Sequence, residues 1–258
     1  MSSRRVSVLG CPIYSLTYEQ TVCQCIEWTR DSKVPHQIIT VNAQTLVMMH
    51  DDPGMRRAIE SSAIVVADGI SVMLAAKLLG VHLPGRVVGV DLTKRLLEEG
   101  SRHQLRVFLL GAKPHVIRKM VEVVGRRYPG VQIAGWRDGY FSDEEQNDLI
   151  RLIRECKADI LLVGMPTPFK ETWCCEHLAS LHVTVVVGVG GTFDVLSGYI
   201  ARAPAWVQAA GLEWLWRLMM EPRKMWKRNV VYSGRFMMML ISELLHRIPR
   251  AMTKTPSL

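Results

Sequence analysis

Short apolar runs alternate with amphipathic stretches along the first three quarters of the chain. Each amphipathic stretch has apolar residues at helical spacing, as in Pro114–Tyr128 and Asp143–Lys157, and Ser142 is suited to cap the second. The apolar runs have little polar alternation, which is typical of parallel strands covered on both faces. They predict strands at Arg5–Leu9, Gln37–Val41, Ala63–Ala67, Arg106–Leu110, Gln132–Ala134, Asp159–Val163 and Val183–Val189. The pattern therefore predicts an open, doubly wound, mostly parallel α/β sheet of the Rossmann-like type.

The alternation stops after about Phe193, and helical patterns continue alone. Pro204 and Pro222 punctuate a stretch that otherwise predicts helices at Trp206–Met220 and Arg223–Leu245. We therefore predict an α/β domain over residues 1–195 and a helical C-terminal appendage over residues 196–258.

Positive charge is concentrated in this appendage. The 258-residue chain has a net charge of +8, and residues 212–258 hold nine Lys or Arg against three Glu, a net charge of +6. Such a segment favours an acidic partner, which could be anionic lipid, phosphate or nucleic acid. The cations are interleaved with Trp206, Trp214, Trp216, Trp226 and several methionines. This combination is typical of a helix in a membrane interface, whereas in a soluble protein such a stripe usually packs in the core.

Several kinds of site lack their sequence signatures. The six cysteines have no CxxC spacing and the eight histidines no ligand spacing, which favours reduced thiols and no metal centre. No apolar run approaches the length that crosses a bilayer. GxGxxG and P-loop motifs are absent, so the fingerprints of NAD and ATP sites are missing.

Polar residues and glycines stand where the predicted strands end. Thr40 and Asn42 close one strand, and Asp68 follows another, where it could be a general base or the N-cap of a helix at Ile70–Leu79. Glycines follow three further predicted strands, at Gly111, at Gly164 and in the segment 188–191. They could let a nucleotide approach the backbone, or could simply form βα turns. Asp194 could bind ribose hydroxyls or begin a helix.

Read together, these segments resemble the WecG/TagA/CpsF family of bacterial glycosyltransferases from about Thr40 to Arg228. The matching motifs are 40–43 (TVNA), 67–70 (ADGI), 86–92 (RVVGVDL), 108–111 (FLLG), 138–141 (DGYF), 188–194 (GVGGTFD), 202–204 (RAP), 211–218 (GLEWLWRL) and 221–223 (EPR). Motifs in this order are far more specific than any one of them.

The resemblance implies inverting transfer from a UDP-sugar to a sugar on polyprenyl diphosphate, as in teichoic acid, enterobacterial common antigen and exopolysaccharide synthesis. Asp68 then matches the catalytic base, with Thr40 and Asn42 in its pocket and Arg217 stabilising the departing UDP. The other residues assigned to UDP or substrate are Arg86, Gly111, Asp138, Gly164, Lys170, Gly190, Asp194, Arg223, Lys224, Lys227 and Arg228. The appendage would cover the active site and bring the enzyme to the inner face of the cytoplasmic membrane.

No cofactor or metal is expected, because the chain has no Asp-x-Asp pair to hold a donor diphosphate through a cation. Arg217, Arg223 and the basic residues at 224, 227 and 228 would meet the diphosphate instead, unless they form a solvated helix face. We expect no nucleic acid partner, and the oligomeric state stays open, a homo-oligomer included.

One departure from the family pattern bears on the donor. Lys170 stands where the family usually has glutamine, so a cation replaces a neutral donor and acceptor. Lys227 likewise stands where arginine is common, and lysine is a poorer bidentate phosphate ligand. The donor sugar could be N-acetylmannosamine, its uronic acid or glucose.

Two hypotheses from other classes compete with the transferase. A nicotinamide-dependent oxidoreductase would use a similar sheet but lacks the dinucleotide fingerprint. A non-catalytic membrane or nucleic-acid adaptor would explain the basic appendage, but not the polar residues gathered at strand ends.

Overall fold

The computed structural model describes residues 5–32 and 34–247, and the side chains of residues 224 and 227–229 are outside this description. Its strands, numbered along the chain, are β1 Arg5–Val8, β2 Cys11–Tyr14, β3 His36–Val41, β4 Ile64–Ala67, β5 Arg106–Gly111, β6 Gln132–Arg137, β7 Ile160–Gly164 and β8 Val185–Gly188.

Among the described residues, the last six of these strands form one parallel sheet in the order β4-β3-β8-β7-β5-β6. The predicted fold class is therefore confirmed. Near-continuous apolar strands such as β7 are buried along their whole length, as expected for a parallel sheet covered on both faces.

The first predicted strand does not join this sheet. β1 instead pairs with β2 in an antiparallel hairpin. Leu9 and Gly10 connect them with φ values of 50° and 77°, the positive values that a tight hairpin turn with matching twist requires. Sequence patterning missed this because Cys11–Tyr14 is too short to announce a second strand.

Helices cover both faces of the sheet. In chain order they are α1 Tyr18–Asp31, α2 Ala43–Asp51, α3 Pro53–Ser61, α4 Ile70–Leu78, α5 Gly89–Arg102, α6 Pro114–Arg127, α7 Gln146–Glu155, α8 Phe169–Leu181, α9 Thr192–Leu196, α10 Ala205–Ala209, α11 Glu213–Met220, α12 Pro222–Lys227 and α13 Ser233–Arg247, with a π-helix at Arg228–Tyr232. Helices α1, α5, α6 and α9 pack on one face. Helices α2, α3, α4, α7, α8 and α13 pack on the other, which gives the doubly wound arrangement.

Two predicted helix boundaries were wrong. The helix expected over Asp143–Lys157 begins only at Gln146, so Ser142 does not cap it. Ser142 and Glu145 instead form a turn in which the Ser142 N–H donates to the Glu145 carboxylate at 2.9 Å. The helix expected over Trp206–Met220 is divided into α10 and α11, because Gly211 adopts a left-handed φ of 72°.

The switch in strand order lies between β5 and β7. The helix after β5 crosses one face of the sheet toward β6, and the helix after β7 crosses the other face toward β8. Loops that leave neighbouring strands in opposite directions open a crevice at their carboxyl ends, where α/β sheets bind ligands.

Candidate active site

Asp68 and Thr40 lie side by side because their strands are neighbours in register. Val41 of β3 pairs with Ala67 of β4, and the Asp68 N–H donates to the Val41 carbonyl at 2.9 Å. The strand register therefore brings together residues from two predicted strand ends that are far apart in sequence.

Asp68 does not cap the helix that follows it. Gly69 is the N-cap of α4 and makes no side-chain cap bond, so this alternative for Asp68 was wrong. The Asp68 carboxylate instead accepts a hydrogen bond from the Gly89 N–H at the start of α5. The N-cap of α5, Val88, provides no side-chain acceptor, so a carboxylate distant in sequence serves this helix N-terminus.

Three side chains converge over Gly89. A Cβ on Gly89 would lie 3.8 Å from Asp68 Oδ2 and 3.9 Å from both Thr40 Oγ1 and Thr192 Oγ1. A larger residue at position 89 would therefore enter the space that these oxygens share. The arrangement places one carboxylate and two hydroxyls around Gly89, and the Thr192 hydroxyl also donates to the Val189 carbonyl at 2.7 Å.

The pKa of Asp68 is raised to about 6, first of all because burial disfavours the charged form. The Gly89 hydrogen bond lowers this pKa, Glu213 and Asp91 raise it, and Arg86 lowers it. At neutral pH the group is a carboxylate that accepts a proton more readily than an ordinary aspartate. This is the electrostatic character expected of a general base.

Asn42 forms a wall of the same region but is also committed to helix α2. Its Oδ1 accepts from the Thr45 N–H at 3.2 Å and from Thr45 Oγ1 at 3.3 Å. A Cβ on Gly69 would lie 3.1 Å from the Asn42 Cβ. Asn42 therefore caps α2 and packs against the residue that follows Asp68.

The predicted glycines at 111 and 164 meet in the crevice between β5 and β7. Gly111 has a φ of 112°, and a Cβ there would lie 2.7 Å from the Gly164 carbonyl carbon. A Cβ on Gly139, which follows Asp138 at the end of β6, would lie 3.1 Å from the Gly111 Cα. The loops after three adjacent strands thus approach closely, and their backbones are bonded to one another: the Ala112 N–H donates to the Gly164 carbonyl at 2.9 Å, and the Gly139 N–H donates to the Ala112 carbonyl at 3.0 Å.

Lys170 lies under the glycine loop after β8. Its Cε would be 3.2 Å from a Cβ on Gly188, and Gly190 above it has a φ of 52°. Its ammonium donates to Thr167 Oγ1 at 2.6 Å and pairs with the Glu171 carboxylate. Both charged side chains are buried, so the charge predicted to touch the donor is directed to an internal partner.

Arg217 reaches the same loop from helix α11. A Cβ on Gly191 would lie only 2.5 Å from Arg217 Nη2, so the guanidinium rests directly on this backbone. The same nitrogen lies 3.4 Å from the Glu221 carboxylate. The C-terminal helices therefore carry a cation to the carboxyl edge of the sheet.

The remaining predicted residues occupy several places. Asp138 accepts from the Tyr140 N–H at 3.0 Å, and Asp194 lies in the first turn of α9. Arg86 bonds to the helices of the appendage, and Arg223 is exposed on α12. The side chains of Lys224, Lys227 and Arg228 lie outside the described residues.

Comparison with known proteins identifies the family of this chain. The profile of the glycosyl transferase WecG/TagA/CpsF family matches residues 6–250. The chain belongs to the WecG/TagA/CpsF family. It is therefore a glycosyltransferase, and the oxidoreductase and adaptor hypotheses are set aside.

Two relatives of this protein share the name N-acetylglucosaminyldiphosphoundecaprenol N-acetyl-beta-D-mannosaminyltransferase. The protein of Bacillus spizizenii strain W23 is 35% identical over 191 residues, which cover 74% of this chain and 73% of the relative. The protein of Bacillus subtilis strain 168 is 33% identical over 198 residues, which cover 77% and 76% respectively.

Sequence reasoning missed several residues of this glycosyltransferase site. Gly89, Thr192 and Glu213 were noted only inside motifs, and their contacts with Asp68 or Arg86 depend on folding. Arg202 Nη2 donates to both carboxylate oxygens of Asp91, at 2.6 and 2.7 Å, across 111 residues of sequence. The motifs flagged all of these positions, but motif spacing does not tell which residues become partners.

The site is distinct from a surface cavity of about 760 Å³ on the same enzyme. That cavity is lined by His50, Pro53, Arg56, Arg57, Glu60 and Ser61. These residues belong to α2 and α3 and include none of the strand-end groups. The raised pKa of Asp68 and the converging hydroxyls occur at the strand ends instead.

Within residues 5–32 and 34–247, no helix is long and apolar enough to cross a bilayer. The same residues contain no group of three or more His, Cys, Asp or Glu side chains arranged to hold a metal ion.

Proposed function

We propose that this glycosyltransferase moves a sugar from a UDP-sugar to a saccharide on polyprenyl diphosphate, with inversion at the anomeric carbon. The observation that carries the proposal is the Asp68 carboxylate, which has a pKa of about 6 and shares a pocket with the Thr40 hydroxyl.

Asp68 is proposed as the general base. The acceptor hydroxyl oxygen attacks the anomeric carbon, its proton passes to the Asp68 carboxylate, and the bond from the anomeric carbon to UDP breaks. UDP leaves with the bonding electron pair. Because a sugar hydroxyl does not ionise at neutral pH, a positioned base contributes roughly 10²–10⁴-fold to such a step.

UDP is proposed to bind in the crevice between β5 and β7. The opposite directions in which the chain leaves β5 and β7 support this, because α/β sheets bind ligands at such a switch in strand order. Arg217 on α11 and Arg223 on α12 would neutralise the charge that develops on the leaving group, with no metal required.

The names of the two relatives support the choice of acceptor and one choice of donor. Both describe transfer to an N-acetylglucosaminyl-diphosphoundecaprenol. We therefore propose this class of acceptor here. N-acetylmannosamine is the first donor to test, and its uronic acid and glucose are the alternatives.

The C-terminal helices are proposed to hold the enzyme on the anionic inner face of the cytoplasmic membrane. Their outward surface carries large apolar side chains: Trp206, Trp214, Leu215, Met219, Met220, Trp226, Val230, Val231, Met237, Met238, Ile241 and Leu245. Together with the positive charge of this segment, such a surface suits a lipid interface, where the polyprenyl acceptor resides.

The proposal is tested by measuring UDP release from the three UDP-sugars, with N-acetylglucosaminyl diphosphate on a short polyprenol as acceptor. EDTA and detergent are included. We expect release from one donor that depends on the acceptor and is unaffected by EDTA. If the protein shows no turnover and UDP does not bind by calorimetry, the proposal is contradicted.

Asp68→Asn provides the test of the base. We expect turnover to fall roughly 10²–10⁴-fold, since the amide keeps an acceptor for the Gly89 N–H but takes up no proton. In the wild-type enzyme, kcat/KM should fall below about pH 6, where Asp68 becomes protonated. Normal turnover by Asp68→Asn would refute the assignment.

The same variant has a predicted effect on stability. The Asp68 pKa rises from 3.8 to about 6 on folding, so the folded state binds the proton more tightly and loses stability as pH rises between these values. At pH 8 the free energy of unfolding of Asp68→Asn should therefore exceed that of wild type by roughly 1–3 kcal/mol, as measured by urea unfolding. The two proteins should be nearly equal in stability at pH 4.

A further inference from the structure

Arg86 joins the C-terminal helices to the α/β sheet. Its Nη1 lies 3.3 Å from the Glu213 carboxylate in the first turn of α11, and its Nη2 donates to the Gln208 carbonyl at 3.3 Å. Gln208 in turn donates from its side chain to the Ala203 carbonyl at 2.6 Å. The guanidinium therefore spans the end of α10 and the start of α11.

The three residues after Arg86 lead directly to the catalytic base. Val87 is fully buried, and its N–H donates to the Ala67 carbonyl at 2.7 Å. Ala67 immediately precedes Asp68, and the Gly89 N–H donates to the Asp68 carboxylate. The segment 86–89 thus has the appendage at one end and the base at the other.

We infer that Arg86 is a positioning residue, which holds segment 86–89 against the docked helix α11 so that the Gly89 N–H is aimed at Asp68. This inference rests on the proposed function of Asp68. It gives Arg86 a role that differs from binding the diphosphate, because its guanidinium is engaged by the appendage. Docking of α11 on the sheet and positioning of Asp68 are then coupled.

The charges around Asp68 distinguish this coupling from simple structural support. The groups that act on it are Glu213 from α11, Asp91 from α5 and Arg86, and Asp91 is itself paired with Arg202. Loss of the Glu213 charge should make Asp68 more acidic, and loss of the Arg86 charge should make it less acidic. In Arg86→Gln, the lost charge and the lost Gly89 contact both raise the Asp68 pKa, whereas in Glu213→Gln the two effects oppose each other.

The experiment compares pH profiles of kcat/KM for wild type, Arg86→Gln and Glu213→Gln. We expect the acid limb to move up by roughly 0.5–1 pH unit for Arg86→Gln and to move less for Glu213→Gln. Both variants should lower kcat about tenfold or more while the KM for the UDP-sugar changes little. Arg235→Gln is the matched control, because it breaks the Arg235–Asp51 pair that joins α13 to α2, and its acid limb should not move.

Hydrogen exchange provides a readout that is independent of turnover. Exchange at Gly89 and along α11 should rise in Arg86→Gln and Glu213→Gln but not in Arg235→Gln. Arg86→Lys keeps the charge but cannot span both partners, so exchange at Gly89 should rise, and the acid limb should move up because the Gly89 N–H no longer lowers the Asp68 pKa.

The outcomes separate this inference from the proposed function. A silent wild-type enzyme with coupled exchange at Gly89 and α11 would contradict the proposed reaction and leave the mechanical link supported. An acid limb that stays in place in Arg86→Lys, or unchanged exchange at Gly89, would overturn the inference. A large increase in the UDP-sugar KM in Arg86→Gln alone would show that Arg86 binds the donor.

Discussion

At the scale of single residues, Lys170 shows how burial changes the meaning of a substitution. The sequence places a cation where the family usually has glutamine, which suggested a contact with the donor. In the fold, that cation is paired with buried Glu171 and bonded to Thr167. The glycine loop lies above the aliphatic part of the side chain, so Lys170 supports the site from beneath.

Lys170→Met should therefore destabilise the protein by about 3–5 kcal/mol, because the buried Glu171 carboxylate would lose its charged partner. Urea unfolding at pH 7.5 measures the effect. Lys119→Met is the matched control, since it breaks the exposed Lys119–Glu122 pair and should cost less than about 1 kcal/mol. Equal stabilities of the two variants would mean that the Lys170–Glu171 pair is not a buried charge pair in solution.

At the scale of elements, the crevice depends on strand ends that meet without side chains. Three predicted glycine turns were weak signals individually, because glycine also ends ordinary strands. The strand order makes two of them neighbours, since β7 lies beside β5 although β6 intervenes in sequence. The contact between Gly111 and Gly164 could not be predicted without that order.

Gly111→Ala should lower both stability and UDP affinity. The new Cβ would lie 2.7 Å from the Gly164 backbone at a φ of 112°, and we expect a loss of about 2 kcal/mol or more. Gly125→Ala in α6 is the control, because nothing lies within 4 Å of its Cβ position and alanine should stabilise the helix by roughly 0.5–1 kcal/mol. Thermal unfolding and UDP calorimetry test both; a Gly111→Ala protein with wild-type stability and affinity would contradict the close approach.

At the scale of the whole molecule, the C-terminal helices have two kinds of apolar surface. Phe236 and Leu240 of α13 are buried in the core with residues of α2 and α4, while Met237, Met238 and Ile241 face outward. The sequence left core packing and membrane contact as alternatives. Helix α13 has both buried and exposed apolar side chains. Truncation near Ala210 would remove activity and vesicle binding, but it would also uncover this core.

Point substitutions can test membrane contact by the C-terminal helices without disturbing their core packing. Trp206, Trp226 and Met238 are 70%, 61% and 63% exposed, so replacing all three with serine should leave the unfolding midpoint nearly unchanged. Binding to vesicles of anionic phospholipid should weaken about tenfold or more. Trp136→Ser on β6, which is 43% exposed, should bind as wild type does. Unweakened binding by the triple variant would refute a membrane role for these side chains.

The amino-acid sequence by itself determined the parallel α/β sheet, the helical C-terminal segment and the strand-end residues Thr40 and Asp68. These features are legible because burial repeats with the period of each element, and because strand ends are marked by local changes from apolar to polar residues. The hairpin at the start of the chain was missed because its second strand is too short to be recognised, and the break at Gly211 was missed because a single left-handed residue decides it.

Only the tertiary structure decided which of these residues act together. Arg86 and Glu213 are 127 positions apart, and Asp68 receives its hydrogen bond from Gly89 rather than from a residue of the helix it precedes. Local periodicity reports which side of an element is buried, but it contains no information on the partner across a contact. Strand order and register supply that partner, and with it the environment that raises the pKa of Asp68.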